Sequence, residues 1–427
     1  MRGQSSDNLP EIKKNGKRYV VDPIDGELEI MYGLPANVQY CTKCVISNQR
    51  AAPSRMTEDK PDSQKETVAF DEDGICGACR TVDYKFQVDW DERERQLIDL
   101  LDQYRSKDGS WDVLVPGSGG KDSAYAAHVL KTKYGMNPLT ITWAPHIYTD
   151  IGRENFDNWI NIGGFDNELF TPNGLIHRKL TRLAYENILH PFQPFILGQR
   201  NYPAKVAINR GIKLIFYGES PAEYGTANRE DLDAVRSPFY YTANPNSPDI
   251  YVSGLHIDAL QEYGISRGAL NPYLPISLEE AERAQLDCRY LGYYLKWVPQ
   301  DCFYYAVDHT GFKPNPERTK GSFTKYNSID DRLDGFHYWT GLIKFGIGRC
   351  THEAGQDIRN GHLTRDEGVA LVTKYDDEFP DTYFDEILEY MDLEKDEFFE
   401  IADRWRSPHL WKRTNEEWVL RHKIDNQ

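Results

Sequence analysis

The chain has 427 residues, enough for two to four domains at about 150 residues each, and its 40% hydrophobic content can supply their cores. A formal charge of −17 with no long Lys/Arg run excludes a general polyanion-binding surface, which weighs against tRNA or DNA as substrate. The opening residues are polar and no run of about 18 apolar residues occurs, so the expectation is a cytoplasmic protein without a membrane span, its thiols kept reduced.

Residues 1 to about 30 read as a loose or strand-forming lead-in. Two C-x-x-C pairs follow, Cys41-Thr42-Lys43-Cys44 and Cys76-Gly77-Ala78-Cys79, separated by a polar stretch holding Pro53 and Pro61. Each pair can present two sulfurs to one tetrahedral ion, which is the spacing of a structural zinc site. Such an ion would staple a segment too poor in apolar residues to fold alone. Unliganded thiols and an iron–sulfur cluster are the alternatives. Cys288, Cys302 and Cys350 are scattered and read as small buried residues.

Asp89 to Tyr104 has the pattern of an amphipathic helix. It leads to Trp111–Ser123, WDVLVPGSGGKDS, in which an apolar strand runs into a glycine-rich turn and then a helix-compatible segment, Ala124–Tyr134. That order of elements binds phosphate, because turn N–H groups and the helix N-terminus both face an anion there. Asp122 after Lys121, and Val115 five places before Gly120, rule out the Walker pattern, and no G-x-G-x-x-G is present in the turn.

Further strands are expected at Pro138–Trp143, Asn167–Phe170 and Lys213–Tyr217, with helices at Gly152–Ile162, Leu175–Leu189 and Phe195–Asn209 between them. This alternation predicts an α/β fold with a doubly wound parallel sheet, ligands lying beyond the carboxyl ends of the strands. Those ends are Ser118–Ser123, Trp143-Ala144-Pro145 and Gly218-Glu219-Ser220. Thr226–Leu274 reads as an insertion with short helices, Ser277–Leu291 as a helix and Cys302–Val307 as a strand. The last third is expected to be helical, with a capping box at Thr364–Glu367 and helices at Phe384–Met391 and Phe398–Trp405. The domain reading is an N-terminal zinc-binding module at 1–88, a nucleotide domain at 89–309 and a helical C-terminal region at 310–427.

Ser118-Gly119-Gly120-Lys121-Asp122-Ser123 resembles the pyrophosphatase loop of the ATP pyrophosphatase (PP-loop) superfamily. The resemblance implies an adenine nucleotide alpha hydrolase-like sheet and cleavage of ATP between its α- and β-phosphates. It places ATP on Pro116, Gly117, Ser118, Gly119, Gly120, Lys121, Asp122, Ser123, Trp143, Ala144, Gly218 and Glu219. Lys121, Asp122 and Ser123 are the catalytic candidates. Lys121 would neutralise the departing pyrophosphate, while Ser118 and Ser123 would hydrogen-bond it. Asp122 either holds Mg²⁺ against the phosphates or caps the helix. Glu219 would hold Mg²⁺ or the acceptor, or is a surface residue of a turn.

A narrower resemblance covers roughly residues 40 to 375. Besides the cysteine pairs and the loop, it is carried by Thr142–Pro145, Asn155 with Gly163–Asn167, Tyr217–Ser220, Ile343–Arg349, Asp357–Arg359 and Thr364–Gly368. These stretches are similar to those of N-acetyl sugar amidotransferases of bacterial surface-polysaccharide and pseudaminic or legionaminic acid pathways. The resemblance implies adenylation of an acetamido carbonyl on an N-acetylated sugar, then replacement of its oxygen by ammonia to give an acetamidino sugar. The cofactors expected are ATP, Mg²⁺ and structural Zn²⁺. Residue 2 is Arg rather than a nucleophilic Cys and no glutaminase elbow is evident, so a separate glutaminase subunit is the expected ammonia source. Tyr224, Arg178 and Arg349 are candidates for an anionic acceptor. One rival is a PP-loop tRNA thiolation enzyme, which calls for a basic face and a cysteine in the nucleotide domain, where residues 80–287 have none. The other is a nucleotide-gated assembly protein that does not turn ATP over, and pyrophosphate release with acceptor present separates it from an enzyme.

Overall fold

The computed structural model describes residues 28–224, 232–415 and 417–426. The lead-in at 1–27 and the part of the insertion at 225–231 lie outside the described residues. The strands are β1 (Val113–Pro116), β2 (Pro138–Trp143), β3 (Asp166–Phe170), β4 (Leu214–Tyr217), β5 (Tyr251–Val252), β6 (Leu255–His256), β7 (Asp287–Tyr290), β8 (Trp411–Thr414) and β9 (Glu417–Leu420). Five of them form one all-parallel sheet in the order β3-β2-β1-β4-β7. The order reverses between β1 and β4, and a crevice opens at such a switch point beyond the strand ends.

The helices up to the end of the sheet region are α1 (Gly77–Lys85), α2 (Trp90–Tyr104), α3 (Lys121–Thr132), α4 (Asp150–Asn161), α5 (Gly174–Ile188), α6 (Gln193–Arg210), α7 (Arg267–Leu270), α8 (Leu278–Arg283), α9 (Leu291–Tyr294) and α10 (Pro299–Thr310). A parallel sheet is covered on both faces, so its central strands are apolar throughout. Val113 and Val115 face one core with Leu97, Ala126, Leu130 and Cys302, supplied by α2, α3 and α10. Leu114 faces the other with Leu139 and with Ala204 and Ala207 of α6. Helices α4 and α5 begin on Thr149 and Asn173, whose side chains accept from first-turn N–H groups.

Beyond α10 the chain is helical: α11 (Asp334–Phe345), α12 (Arg349–Arg359), α13 (Arg365–Tyr375), α14 (Phe384–Met391) and α15 (Lys395–Asp403), closed by the β8–β9 hairpin. Thr364 and Glu367 form the expected capping box on α13. The largest core joins α5 to this region, with Tyr185 stacked on Phe398 at 4.7 Å between ring centroids. The doubly wound α/β expectation, the four-cysteine module and the helical C-terminal region are all present. None of the described helices is long and apolar enough to cross a membrane.

Two expected elements are different. The segment Ser277–Leu291 is not one helix. Helix α8 stops before Gln285, whose φ is +53°, and the chain turns into β7, the fifth parallel strand. Only Cys288 and Tyr290 of β7 are buried, a period-two pattern at the sheet edge that two residues barely announce. Cys302–Val307 is helical, within α10. Pro299 sits in its first turn, and Cys302 and Ala306, four apart, face inward, while Tyr304 is exposed.

Candidate functional site

A cavity of about 450 Å³ lies at the sheet's switch point. One wall is the turn after β1, with Pro116, Gly117, Ser118, Gly120, Asp122 and Ser123. Another is the end of β4, with Tyr217, Gly218, Glu219 and Ser220. The sequence motifs point to both.

The turn keeps its shape by lacking side chains. Gly119 has φ +85°, and a Cβ there would sit 2.9 Å from both Asn155 O and Phe156 Cα of α4. At Gly117 a Cβ would fall 2.1 Å from Ser123 Cβ. Ser123 Oγ donates to Gly120 O at 3.1 Å, closing the turn onto the helix. Gly120 is the N-cap of α3 and no side chain caps that helix, so Asp122 does not act as the cap. Its carboxylate instead pairs with Lys121 Nζ.

Lys121 is 8% exposed and borders the loop from inside rather than lining the cavity. Burial pulls its ammonium down, but the charges of Asp122 and Glu219 outweigh burial and leave it above the ordinary lysine value. Glu219 accepts from Tyr224 Oη at 2.6 Å. Burial, then the charge of Asp122, pushes the Glu219 carboxyl up to about 7, with Lys121 opposing. The Asp122 and Glu219 carboxylates thus repel each other at the cavity wall. That conflict is what a Mg²⁺ shared with phosphate oxygens relieves, so Asp122 and Glu219 fit such an ion.

Trp143 and Ala144 lie elsewhere. Both are 4% exposed, and the Trp143 ring packs at 4.8 Å from Phe170 and 5.1 Å from Tyr273, away from the cavity lining. Of the acceptor candidates, Tyr224 lines the cavity. Arg178 is exposed on α5. Arg349 is tied to Glu353 at 2.6 Å and to the Tyr338 ring at 4.2 Å.

Three cavity arginines have no counterpart among the sequence candidates: Arg50, Arg200 and Arg236. They come from three separate segments, so no spacing announces them. They rest on rings rather than on acids: Arg50 over Tyr224 at 5.6 Å, Arg200 over Tyr240 at 5.6 Å and Arg236 over Tyr217 at 4.1 Å. Among the described residues none of the three is ion-paired to a carboxylate. Burial, then a neighbouring arginine, lowers Arg50 and Arg200 to about 10 each. A site built this way is poised for an anion.

The C-terminal region also reaches the loop. Burial raises the Asp330 carboxyl, with the nearby Ser118 hydroxyl opposing, and Lys121 Nζ lies 6.0 Å from the Tyr326 ring centre. Cys302 approaches from α10, but burial raises its thiol well above the ordinary value, as expected of a packed residue and not of a reactive thiolate.

The four sulfurs of Cys41, Cys44, Cys76 and Cys79 lie within 4.8 Å of one another, all buried. Cys41 and Cys79 sulfurs are 3.9 Å apart, and those of Cys44 and Cys76 3.7 Å. A tetrahedral zinc with bonds of about 2.3 Å separates its sulfurs by roughly 3.8 Å. The set therefore fits one four-coordinate ion, whereas an iron–sulfur cubane between the thiolates would hold them further apart. The local core adds little besides Ile46, Val68 and Ala78, consistent with a metal staple.

Among curated proteins the chain is similar to an uncharacterized protein of Methanocaldococcus jannaschii, MJ1599, 27% identical over 77 residues, which is 18% of this chain. The match spans 27% of that relative's length. Among solved structures it is similar to an NMN synthetase from Francisella tularensis, at 14% identity and TM-score 0.29, covering 68% of this chain and 93% of that one. It is also similar to the U34-tRNA thiolase NcsA from Methanococcus maripaludis with its [4Fe-4S] cluster, at 14% identity and TM-score 0.28, covering 76% and 86%. Likenesses this loose carry no substrate with them. Residues 320–425 match the family model described as LPS biosynthesis protein WbpG-like, C-terminal domain. That segment, which includes Asp330 and Tyr326 beside the loop, is what the chain shares with the WbpG-like LPS biosynthesis proteins.

Proposed function

We propose that the chain is an ATP-dependent amidotransferase acting on an N-acetylated sugar in surface-polysaccharide biosynthesis. The observation that carries the reading is the meeting of two independent parts. A Ser-Gly-Gly-Lys-Asp-Ser turn faces the cavity, and the segment matched by the WbpG-like model brings Tyr326 and Asp330 beside that turn.

The acetamido oxygen attacks the α-phosphorus of ATP. An O–P bond forms, and the bond from that phosphorus to pyrophosphate breaks. Ammonia nitrogen then attacks the activated carbon, AMP leaves with the former carbonyl oxygen, and one proton passes to solvent. Turn N–H groups, Ser118, Ser123 and Lys121 would hold pyrophosphate as its charge develops. Asp122 and Glu219 would hold the Mg²⁺ that neutralises phosphate charge. Water has to be kept from the adenylated intermediate, which it would otherwise hydrolyse. Four buried thiolates hold Zn²⁺ in a structural role. A separate glutaminase subunit supplies the ammonia, in the cytoplasm where ATP is present.

The test is incubation with ATP, Mg²⁺, ammonium and a panel of acetamido sugars, read by mass spectrometry. A product with one oxygen replaced by NH, formed together with AMP, is the expected result. No AMP with any acetamido sugar would sink the reading.

A further inference from the structure

A second chamber of about 320 Å³ opens beside the loop cavity, sharing Arg50, Pro53 and Arg200 with it. It contains no residue of the phosphate loop. Its walls come from the four-cysteine module, from the corner between α5 and α6, and from α11. The volume lies within the range of about 300–1,000 Å³ usual for small-molecule sites.

The lining chemistry is specific. His190, His337 and His352 face the chamber, with Lys344 beside them. Burial, then nearby cations or a neighbouring histidine, lowers all three imidazoles, His337 to about 3, so they stay neutral. A neutral imidazole offers one N–H and one acceptor nitrogen, which is how a sugar hydroxyl is matched. His190 Nδ1 is buried and has no hydrogen-bond partner. Tyr32 and Trp405 stack with centroids 6.2 Å apart and give one wall apolar ring surface. At the opening stand Arg50 and Arg200, without carboxylate partners among the described residues.

We propose that this second chamber is the acceptor subsite, taking an acetamido sugar that bears a carboxylate or a phosphate. The anion lies between Arg50 and Arg200, the ring sits among the histidines, and the acetamido group points through the opening toward the loop. This rests on the amidotransferase reading for its choice of ligand and on the chamber for its location.

Gly341 allows a clean test. It lies on α11, lines the chamber, and a Cβ there would meet nothing nearer than Ile347 O at 3.8 Å. Gly341→Phe would fill the chamber from a helix that tolerates side chains. Zinc-loaded protein is saturated with a non-hydrolysable ATP analogue and titrated by calorimetry with N-acetylglucosamine, its 1-phosphate and N-acetylglucosaminuronic acid. The wild type is expected to bind one or both anionic probes more tightly than the neutral sugar, and which one binds separates phosphate from carboxylate. Gly341→Phe and Lys344→Met are each expected to lose about tenfold or more in probe affinity (1.4 kcal/mol per tenfold) while binding the ATP analogue as before. Equal probe binding by both variants and wild type overturns the placement. Loss of ATP-analogue binding in Gly341→Phe also overturns it, by putting the nucleoside in this chamber. If no probe binds the analogue-loaded wild type, the acetamido-sugar reading falls as well.

Discussion

Gly119 and Gly120 are neighbours in one turn, yet a methyl group should cost far more at the first than at the second. At Gly119 the backbone has φ +85°, and placing an L-residue there costs about 1–2 kcal/mol. The added Cβ also meets α4 backbone, Asn155 O and Phe156 Cα, at 2.9 Å, and overpacking of this kind costs about 1–3 kcal/mol. Backbone cannot swing aside as a flexible side chain can. Gly119→Ala should therefore lose about 2–5 kcal/mol, or the turn must reshape and lose its ligand. Gly120 has φ −66°, and its nearest new contact would be Ser118 Oγ at 3.6 Å, so Gly120→Ala should cost no more than about 1 kcal/mol, the disadvantage of alanine against glycine at a helix N-cap. Urea titration with unchanged m-values reads the stability term, and calorimetry with a non-hydrolysable ATP analogue reads the ligand term. Gly119→Ala matching wild type in both assays would refute the reasoning. So would equal stability costs at the two positions.

Other perturbations separate structure from chemistry. Lys121→Ala should abolish AMP formation, by about a hundredfold or more given removal of a pre-positioned charge, and an active variant would mean the loop is not the phosphate site. The Glu219 carboxyl, which Lys121 holds down, should titrate higher in the variant. Metal analysis should return one zinc per chain, and a strong chelator should open residues 41–79 to proteolysis. Iron with sulfide, or full protection without metal, would contradict the single-ion site. Burial, then Lys65, lowers Lys344 to about 7, while the unfolded chain keeps that proton to about 10.4. The unfolded state therefore binds more protons between those values, and stability should rise with pH from about 7 to about 10. Lys344→Met should flatten that rise and be the more stable protein at pH 7, whereas parallel slopes would show that Lys344 does not titrate there.

How much of the molecule is legible in its residues follows from which signals are local. The strands β1, β2 and β4 announce themselves because a parallel sheet buries both faces, leaving continuous apolar runs such as Val113–Val115. The turn and the cysteine pairs are legible because their chemistry needs fixed spacing within a few residues. Strand β7 escapes a pattern reading because it presents only two inward side chains, Cys288 and Tyr290, and two points do not fix a period; α10 buries Cys302, Ala306 and Thr310, but the stretch 302–307 holds only the first two. Trp143 suggests a nucleotide contact by its place at a strand end, but a ring that size beside Gly198 is drawn into the aromatic core. Arg50, Arg200 and Arg236 meet only in three dimensions, and isolated arginines carry no signature in one.

The four-cysteine site has a consequence for the cavity beyond stapling its own segment. Arg50 is six residues after Cys44 and stands where the two chambers join, so folding the module is what delivers that guanidinium. A second connection runs through Arg359 on α12. One of its nitrogens lies 4.0 Å from Cys44 Sγ, and the other donates to Glu223 O at 3.1 Å. Lys85, six residues past Cys79, binds the Glu223 carboxylate at 2.7 Å. Glu223 precedes Tyr224, whose hydroxyl holds Glu219 at 2.6 Å. With an ion bound, the thiolates would keep Arg359 in a negative setting; Arg359 and Lys85 pin the backbone before Tyr224, and Tyr224 holds the Glu219 carboxylate at the cavity. A metal staple placed this way would set the geometry of a cavity to which it contributes no ligand, so a chelator should disturb ligand binding in that cavity before the parallel sheet itself unfolds.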